Sequence, residues 1–361
     1  MMPDDGKPQW LTLSDWDEIA PAPQDWTVPG RIPKRQVALL SGPGSAGKSM
    51  IALHLCSAHV LARDWLNSLP EPGPAFFLDA EDDANQIGLR LTAICKHYDV
   101  DFTALSAGGL YVLPLAGQPS LMATVSKSGV VTPTDLFNWL LDQGRKIKPR
   151  QIVIASLADV FPGNENDRGQ VTQFIGLMKR LAIEADGSVL LVSHPSVVGE
   201  QNESGISGST SWHNAVRSRL YLHGLKANGS EPPDPNIRKL DFKKNQYGGL
   251  ETAVTLRWRD GMFLLEGAPS LFEKAALEAK ADHVFEELVK RFAREGRNVS
   301  HTQQARNYAP TAFASESEAT LAKLNKRHLE AAMKRLFERG AIKNSPYGPP
   351  SRLTDRIIYV E

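Results

Sequence analysis

Residues 42–49 read Gly-Pro-Gly-Ser-Ala-Gly-Lys-Ser, directly after the apolar run Val37-Ala38-Leu39-Leu40-Ser41 and before a stretch of helical periodicity that opens at Lys48. This is the G-x-x-x-x-G-K-S pattern in the strand-to-helix context it requires. Glycines let backbone N–H groups turn inward around an α- and β-phosphate, and the helix N-terminus adds its positive dipole. All eight positions, Gly42, Pro43, Gly44, Ser45, Ala46, Gly47, Lys48 and Ser49, therefore form a candidate phosphate cradle. Lys48 is expected to reach the β- and γ-phosphates, and the Ser49 hydroxyl to ligate Mg2+.

Outward from this loop, apolar runs alternate with helical patterns. Strands are expected at 37–42, 75–80, 110–115, 151–157 and 188–194, with helices from Lys48, from Asp83, around Leu136–Leu141 and from Gln170. The runs are near-continuous in apolar residues, as a parallel sheet covered on both faces demands. The fold class is thus α/β, a doubly wound sheet. Three partly alternating runs at 217–225, 237–244 and 252–267 suit an antiparallel extension of it. Residues 195–210 are polar and Gly/Ser-rich and read as a loop.

The 361 residues allow one large domain and a smaller one. Residues 1–34, rich in Pro and Trp, read as an N-terminal arm, 35–267 as the α/β domain, 268–280 as a linker and 281–361 as a separate module. That last segment places Val284, Phe285, Leu288, Val289 and Phe292 on one helix face, sets a second amphipathic helix at 325–339, and closes with two short strands about a Pro/Gly turn. Helices followed by a β-wing predict a winged-helix domain, used mostly on DNA. It holds 14 Lys and Arg against 10 Asp and Glu, while the whole chain balances 41 against 41. Any nucleic-acid contact must then come from local patches. Lys326, Arg327, Lys334 and Arg352 are the candidate DNA contacts.

Two cysteines, Cys56 and Cys95, lie in helical patterns away from any metal-spaced cluster, so buried reduced thiols are expected. No apolar signal core opens the chain and no run approaches a membrane span, which predicts a soluble, cytoplasmic protein.

Residues 30–265 resemble the RecA-type ATPases, and most closely the hexameric plasmid and phage replicative helicases of the RepA group. The resemblance rests on the P-loop, FFLDAEDD at 76–83, VSHPS at 192–196, SGSTSWHNAVRSRLYL at 207–222 and FKKNQYGG at 242–249. It implies a RecA-like sheet, ATP with Mg2+ as ligand, and sites shared between copies of a homo-oligomeric ring. By the resemblance Glu81 polarises the attacking water; Asp79, Asp82 and Asp83 compete for that role, and Asp82 or Asp83 alternatively caps the following helix. His194 is implied as a γ-phosphate sensor. Arg217, Arg219, Lys243 and Lys244 are implied as cations lent to a neighbour's site, Arg217 foremost as an arginine finger. The loop 195–210 is placed in the ring's channel, facing single-stranded DNA.

One position departs from the family. The strand 151–154 ends in Ala155 where the resemblance places a carboxylate that holds the Mg2+ hydration shell. Asp159, four residues on, or Asp79 from the neighbouring strand, remain as substitutes through water. Otherwise the chain binds ATP and hydrolyses it poorly, or position 155 carries a change that traps nucleotide. Three functions follow: an ATP-dependent DNA motor, an ATP-gated DNA-binding regulator or loader with weak turnover, and, ranked last for want of lid and acceptor-site features in the sequence, a small-molecule P-loop kinase.

Overall fold

The computed structural model describes residues 10–194, 210–225, 233–267, 271–349 and 353–360. The chain divides into two compact units, Met1–Ala268 and Pro269–Glu361.

In the first unit a short helix α1 (Asp15–Glu18) precedes a hairpin, β1 (Trp26–Val28) and β2 (Ile32–Pro33), and β3 (Val37–Ser41) runs into α2 (Lys48–Leu61). β4 (Ala75–Asp79) leads to α3 (Ala84–Tyr98) and α4 (Phe102–Ala107), and β5 (Leu110–Pro114) to a second hairpin, β6 (Ala123–Val125) and β7 (Val131–Pro133). α5 (Asp135–Ile147), β8 (Gln151–Ala155), α6 (Leu157–Val160), α7 (Arg168–Glu184) and β9 (Ser188–Ser193) follow. α8 (Thr210–Ala215) then precedes β10 (Ser218–Gly224), β11 (Ile237–Asn245), β12 (Val254–Arg259) and β13 (Met262–Leu265).

Nine strands form one sheet in the order β13-β12-β11-β10-β3-β9-β8-β4-β5. From β10 to β5 the pairings are parallel, and β11, β12 and β13 extend the sheet antiparallel. This is the largely parallel α/β sheet with the antiparallel extension that the sequence predicts. Every residue of β3, β4, β8 and β9 is buried, because helices cover both faces. Strand alternation sends Leu40, Phe77 and Val153 to the face packed by α2, and Leu39, Leu78 and Ile154 to the face packed by α5 and α7. The C-terminal ends of β3, β4 and β9 consequently open onto one crevice, the place where open α/β sheets take ligands.

Two boundaries differ from expectation. Residues 26–34 belong to the folded unit and not to an arm: Val28 and Ile32 are in its core, and Arg31 donates to Glu251 (2.7 Å) and to the Leu66 carbonyl (2.9 Å). A hairpin this short carries no periodic signal, and its burial comes from distant partners. Residues 271–280, expected as linker, are helical.

Cys56 and Cys95 are both buried and free. Among the described residues no helix is long and apolar enough to cross a membrane. Two histidines of α2 are buried as neutral rings: burial pushes His54 down to about 3 and His59 down to about 4. His54 Nε2 meets Tyr98 Oη at 2.7 Å, and Tyr98 in turn donates to the Asp64 carbonyl. In the unfolded chain both rings titrate near 6.5, so stability is full above that pH and is lost as pH falls below it, at about 1.4 kcal/mol per pH unit for each ring. Urea unfolding between pH 7 and 5 is expected to show a midpoint that drops steeply below pH 6.5. A flat midpoint over that range contradicts it.

The second unit consists of α9 (Leu271–Arg294), α10 (Ala309–Ala314), α11 (Ser317–Leu321), α12 (Lys326–Glu338) and the antiparallel pair β14 (Ile342–Tyr347) and β15 (Thr354–Tyr359). Phe285, Leu288 and Phe292 of α9 pack with Phe313, Leu329 and Leu336. Asn325 caps α12 through a reciprocal box with His328. Ile357 donates to the Val299 carbonyl at 2.9 Å, which ties the hairpin to the turn after α9.

Candidate functional site: the P-loop cleft

The phosphate cradle is shaped by its neighbours as much as by its own residues. A side chain at Gly42 would overlap the Leu222 carbonyl of β10, and one at Gly47, which has φ +96°, would run into the Phe263 ring. Lys48, 5% exposed, donates to the carbonyls of Gly42 and Pro43, each at 2.8 Å, and its ammonium lies 3.4 Å from His194 Nδ1. The first turn of α2 holds no acidic residue, so its amides face the crevice uncompensated and suit an anion. Ser49 lines the same cleft.

A family model described as an AAA domain matches residues 5–200, more than half of the chain. The chain belongs to the AAA domain family. Among solved structures it is similar to an ATPase domain, at 17% identity over 70% of this chain and 96% of that one, with TM-score 0.48. It is also similar to a KaiC-like protein from the hyperthermophilic archaeon Pyrococcus horikoshii OT3, at 14% identity over 69% and 100%, with TM-score 0.47.

The AAA domain's cleft encloses ≈ 520 Å³. Glu81 follows β4 and His194 follows β9, and the cleft brings them together: Glu81 Oε1 stands 3.6 Å from His194 Nε2. Lys48, His194 and Glu81 thus form a continuous polar line along the base of the cleft. Asp82 lines the cleft as well but is paired with Arg90 of α3. Asp83 caps α3 through Gln86 N–H, at 2.8 Å, and takes the helix-cap role. Oxygen donors from Ser49, Glu81 and Asp82 suit a hard cation such as Mg2+. Among the described residues no group of three or more His, Cys, Asp or Glu could hold a metal by itself.

Asp159 does not join this set. Its carboxylate accepts from the hydroxyl of Ser156, the residue before α6, at 2.6 Å, and it does not line the cleft. The chain turns into α6 directly after β8, and this places Asp159 beside Ser156. Ala155 itself ends β8, fully inside the core.

Of the basic residues read as neighbours' cations, Arg217 falls at the end of the sheet away from the cradle, while Arg219 and Lys244 stand level with Leu39, midway along β3. β10 pairs parallel with β3 from Ser218↔Ala38, and Arg217 N–H donates to the Val37 carbonyl. Arg217 therefore lies five residues upstream of the P-loop in strand terms, about 17 Å. Its guanidinium is held by Gln246 Oε1 at 2.7 Å. Arg219 is only 3% exposed and is not presented at the surface, because its strand face is covered. Lys244 donates to the His213 and Asn214 carbonyls at the end of α8, and Lys243 is paired with Asp241 at 2.8 Å. Burial, and then the proximity of Arg217 and Arg219, pushes the Lys244 ammonium down.

On the second unit, Lys326 and Lys334 are exposed on α12, each near a carboxylate one turn on (Glu330 at 3.7 Å, Glu338 at 3.8 Å), and Arg327 is exposed beside them. Arg335 and Arg339 instead clamp Asp282. Arg352 and the loop 195–209 lie outside the described residues.

Sequence reasoning missed the far wall of the cleft. Arg238, Trp258 and Phe263, from β11, β12 and β13, line it together with Arg90. Trp258 packs edge-on to Phe263 at 4.9 Å and remains 42% exposed, while Arg238 sits 5.5 Å over the Phe263 ring. An aromatic face and a guanidinium facing a phosphate cradle can hold a nucleobase. The only signal in the sequence was an aromatic pair bracketing the Arg259-Asp260-Gly261 turn.

Proposed function

We propose that this chain is an ATP-driven DNA motor that works as a ring of identical copies, hexameric as in the replicative helicases it resembles. The observation that carries the reading is the separation of its charges. The cradle follows the C-terminal end of β3 and Arg217 stands level with the start of that strand, so Arg217 can meet a γ-phosphate only in a site shared with a second copy. In this reading Glu81 orients the attacking water, His194 reports the γ-phosphate to the loop that follows it, and Ser49 holds Mg2+ with phosphate oxygens and water. Lys243, tied to Asp241, ranks behind Lys244. The second unit acts as a winged helix, with Lys326, Arg327 and Lys334 on DNA phosphates.

Trp258 and Arg238 take the base. Trp258→Ala is expected to weaken ATP binding about tenfold, the worth of one base–aromatic stack, and to leave binding of inorganic tripolyphosphate unchanged. Equal losses for both ligands contradict the assignment.

A second reading, an ATP-gated regulator or loader of DNA, draws on Ala155. Without a carboxylate there, nucleotide acts chiefly as an assembly signal. ATP hydrolysis with and without single-stranded DNA, on this chain and on Ala155→Asp, separates the two. The motor reading expects DNA to stimulate hydrolysis several-fold in at least one form, and no stimulation in either overturns it. Size measurements with a non-hydrolysable ATP analogue are expected to show an oligomer that the nucleotide-free protein forms less readily.

A further inference from the structure

Asp79 is the last residue of β4 and is 0% exposed, a rare place for a carboxylate. Its Oδ1 accepts two backbone N–H groups, those of Glu81 at 3.0 Å and Asp82 at 3.1 Å. Its Oδ2 lies 3.8 Å from Arg90 Nη1, and the same guanidinium binds Asp82. One buried carboxylate therefore grips the turn that presents Glu81 to His194, both directly and through Arg90.

Its position in the sheet gives this grip a second meaning. Asp79 is the register partner of Ala155 on β8, and the Ala80 N–H donates to the Ala155 carbonyl at 2.6 Å. Phe77, Val153 and Ala155 all face the core shared with α2, so Asp79, two residues beyond Phe77, points to that same face. Two ionised carboxylates side by side on a buried face at about 5 Å would repel and drive one of them neutral. A single carboxylate at this edge, on β4 and not on β8, is the consistent arrangement.

We infer that Asp79 is a positioning residue: its carboxylate oxygen clasps the Glu81 and Asp82 amides and thereby aims the Glu81 carboxylate, at the edge of the sheet where Ala155 leaves room for it. The inference rests on the reading of Glu81 as the group that orients water, and it is separable from that reading. What matters is an acceptor oxygen at this spot and not a negative charge.

The test compares Asp79→Asn, which keeps a side-chain carbonyl to accept both amides, with Asp79→Ala, which does not. Both full-length variants are expected to bind a fluorescent ATP analogue within about threefold of the parent, since no cradle contact changes. Single-turnover hydrolysis is expected to fall roughly 30-fold in Asp79→Ala, as small misplacements of a reacting group do, and to stay within about fivefold of the parent in Asp79→Asn. Hydrogen exchange of the Glu81 and Asp82 amides is expected to be slow in the parent and in the Asn form and fast in the Ala form. The inference is overturned if Asp79→Asn loses as much turnover as roughly 30-fold, or if exchange at the two amides is unchanged in Asp79→Ala. A parent that binds ATP without hydrolysing it counts against Glu81 as the base, and the exchange measurement still decides the clasp. Should the Ala form not fold, the Asn form decides alone.

Discussion

Lys48→Ala is expected to lower ATP affinity by on the order of 100-fold or more and to remove turnover altogether. The ammonium is buried, and its partners in the cleft include the carbonyls of Gly42 and Pro43 and the ring of His194. Removing it withdraws the one lysine of the cradle from a triphosphate that then relies on backbone amides and the α2 dipole. It also takes a donor from two P-loop carbonyls, so the loop loses part of the bracing that keeps its amides inward. Titration with a fluorescent ATP analogue checks this, with ligand-free thermal unfolding as the control for folding. Affinity within a few-fold of the parent, in a variant that melts normally, would remove the basis for the nucleotide site.

Glu81→Gln is expected to leave a different signature: ATP affinity unchanged and single-turnover hydrolysis reduced by roughly 100- to 1,000-fold. Glutamine keeps the shape and the approach to His194 but cannot accept a proton. Glu81 is half-exposed in the cleft and faces His194, whereas its neighbour Asp82 is paired with Arg90. Asp82→Asn is therefore expected to change turnover by less than about fivefold. If the two substitutions exchange effects, the base is Asp82 and the Arg90 pair opens when nucleotide binds. The contrast between Lys48→Ala, which loses binding, and Glu81→Gln, which loses only the chemical step, separates the cradle from the chemistry.

The cradle and the parallel core were legible because their signals are local. A glycine-rich turn between an apolar run and a helix needs no distant partner to be recognised, and strands covered on both faces leave unbroken apolar runs wherever they occur. His194 and Glu81 could be placed at strand ends for the same reason. The sequence left the helix cap to Asp82 or Asp83, and the structure gives it to Asp83. The surroundings of Asp159 depend on a local detail that periodicity does not report: a four-residue helix after β8 sets its carboxylate against Ser156.

The roles of the charged residues were another matter. Arginines and lysines of β10 and β11 look alike in sequence, yet folding buries Arg219, ties Lys243 to Asp241 and spends Lys244 on the end of α8. On the second unit the same holds, where Arg335 and Arg339 are taken up by Asp282 while Lys334 stays 80% exposed.

By itself the sequence determined the α/β class, the phosphate cradle and the strand ends that carry Glu81 and His194, since each depends on residues within a few positions of one another. Tertiary structure alone decided that β11–β13 fold back to set Trp258 and Arg238 against the cradle, that Asp79 stands in register with Ala155, and which cations remain available. Those outcomes depend on pairings between segments far apart in the chain, whose energies come from desolvation and charge neighbours that no single segment contains.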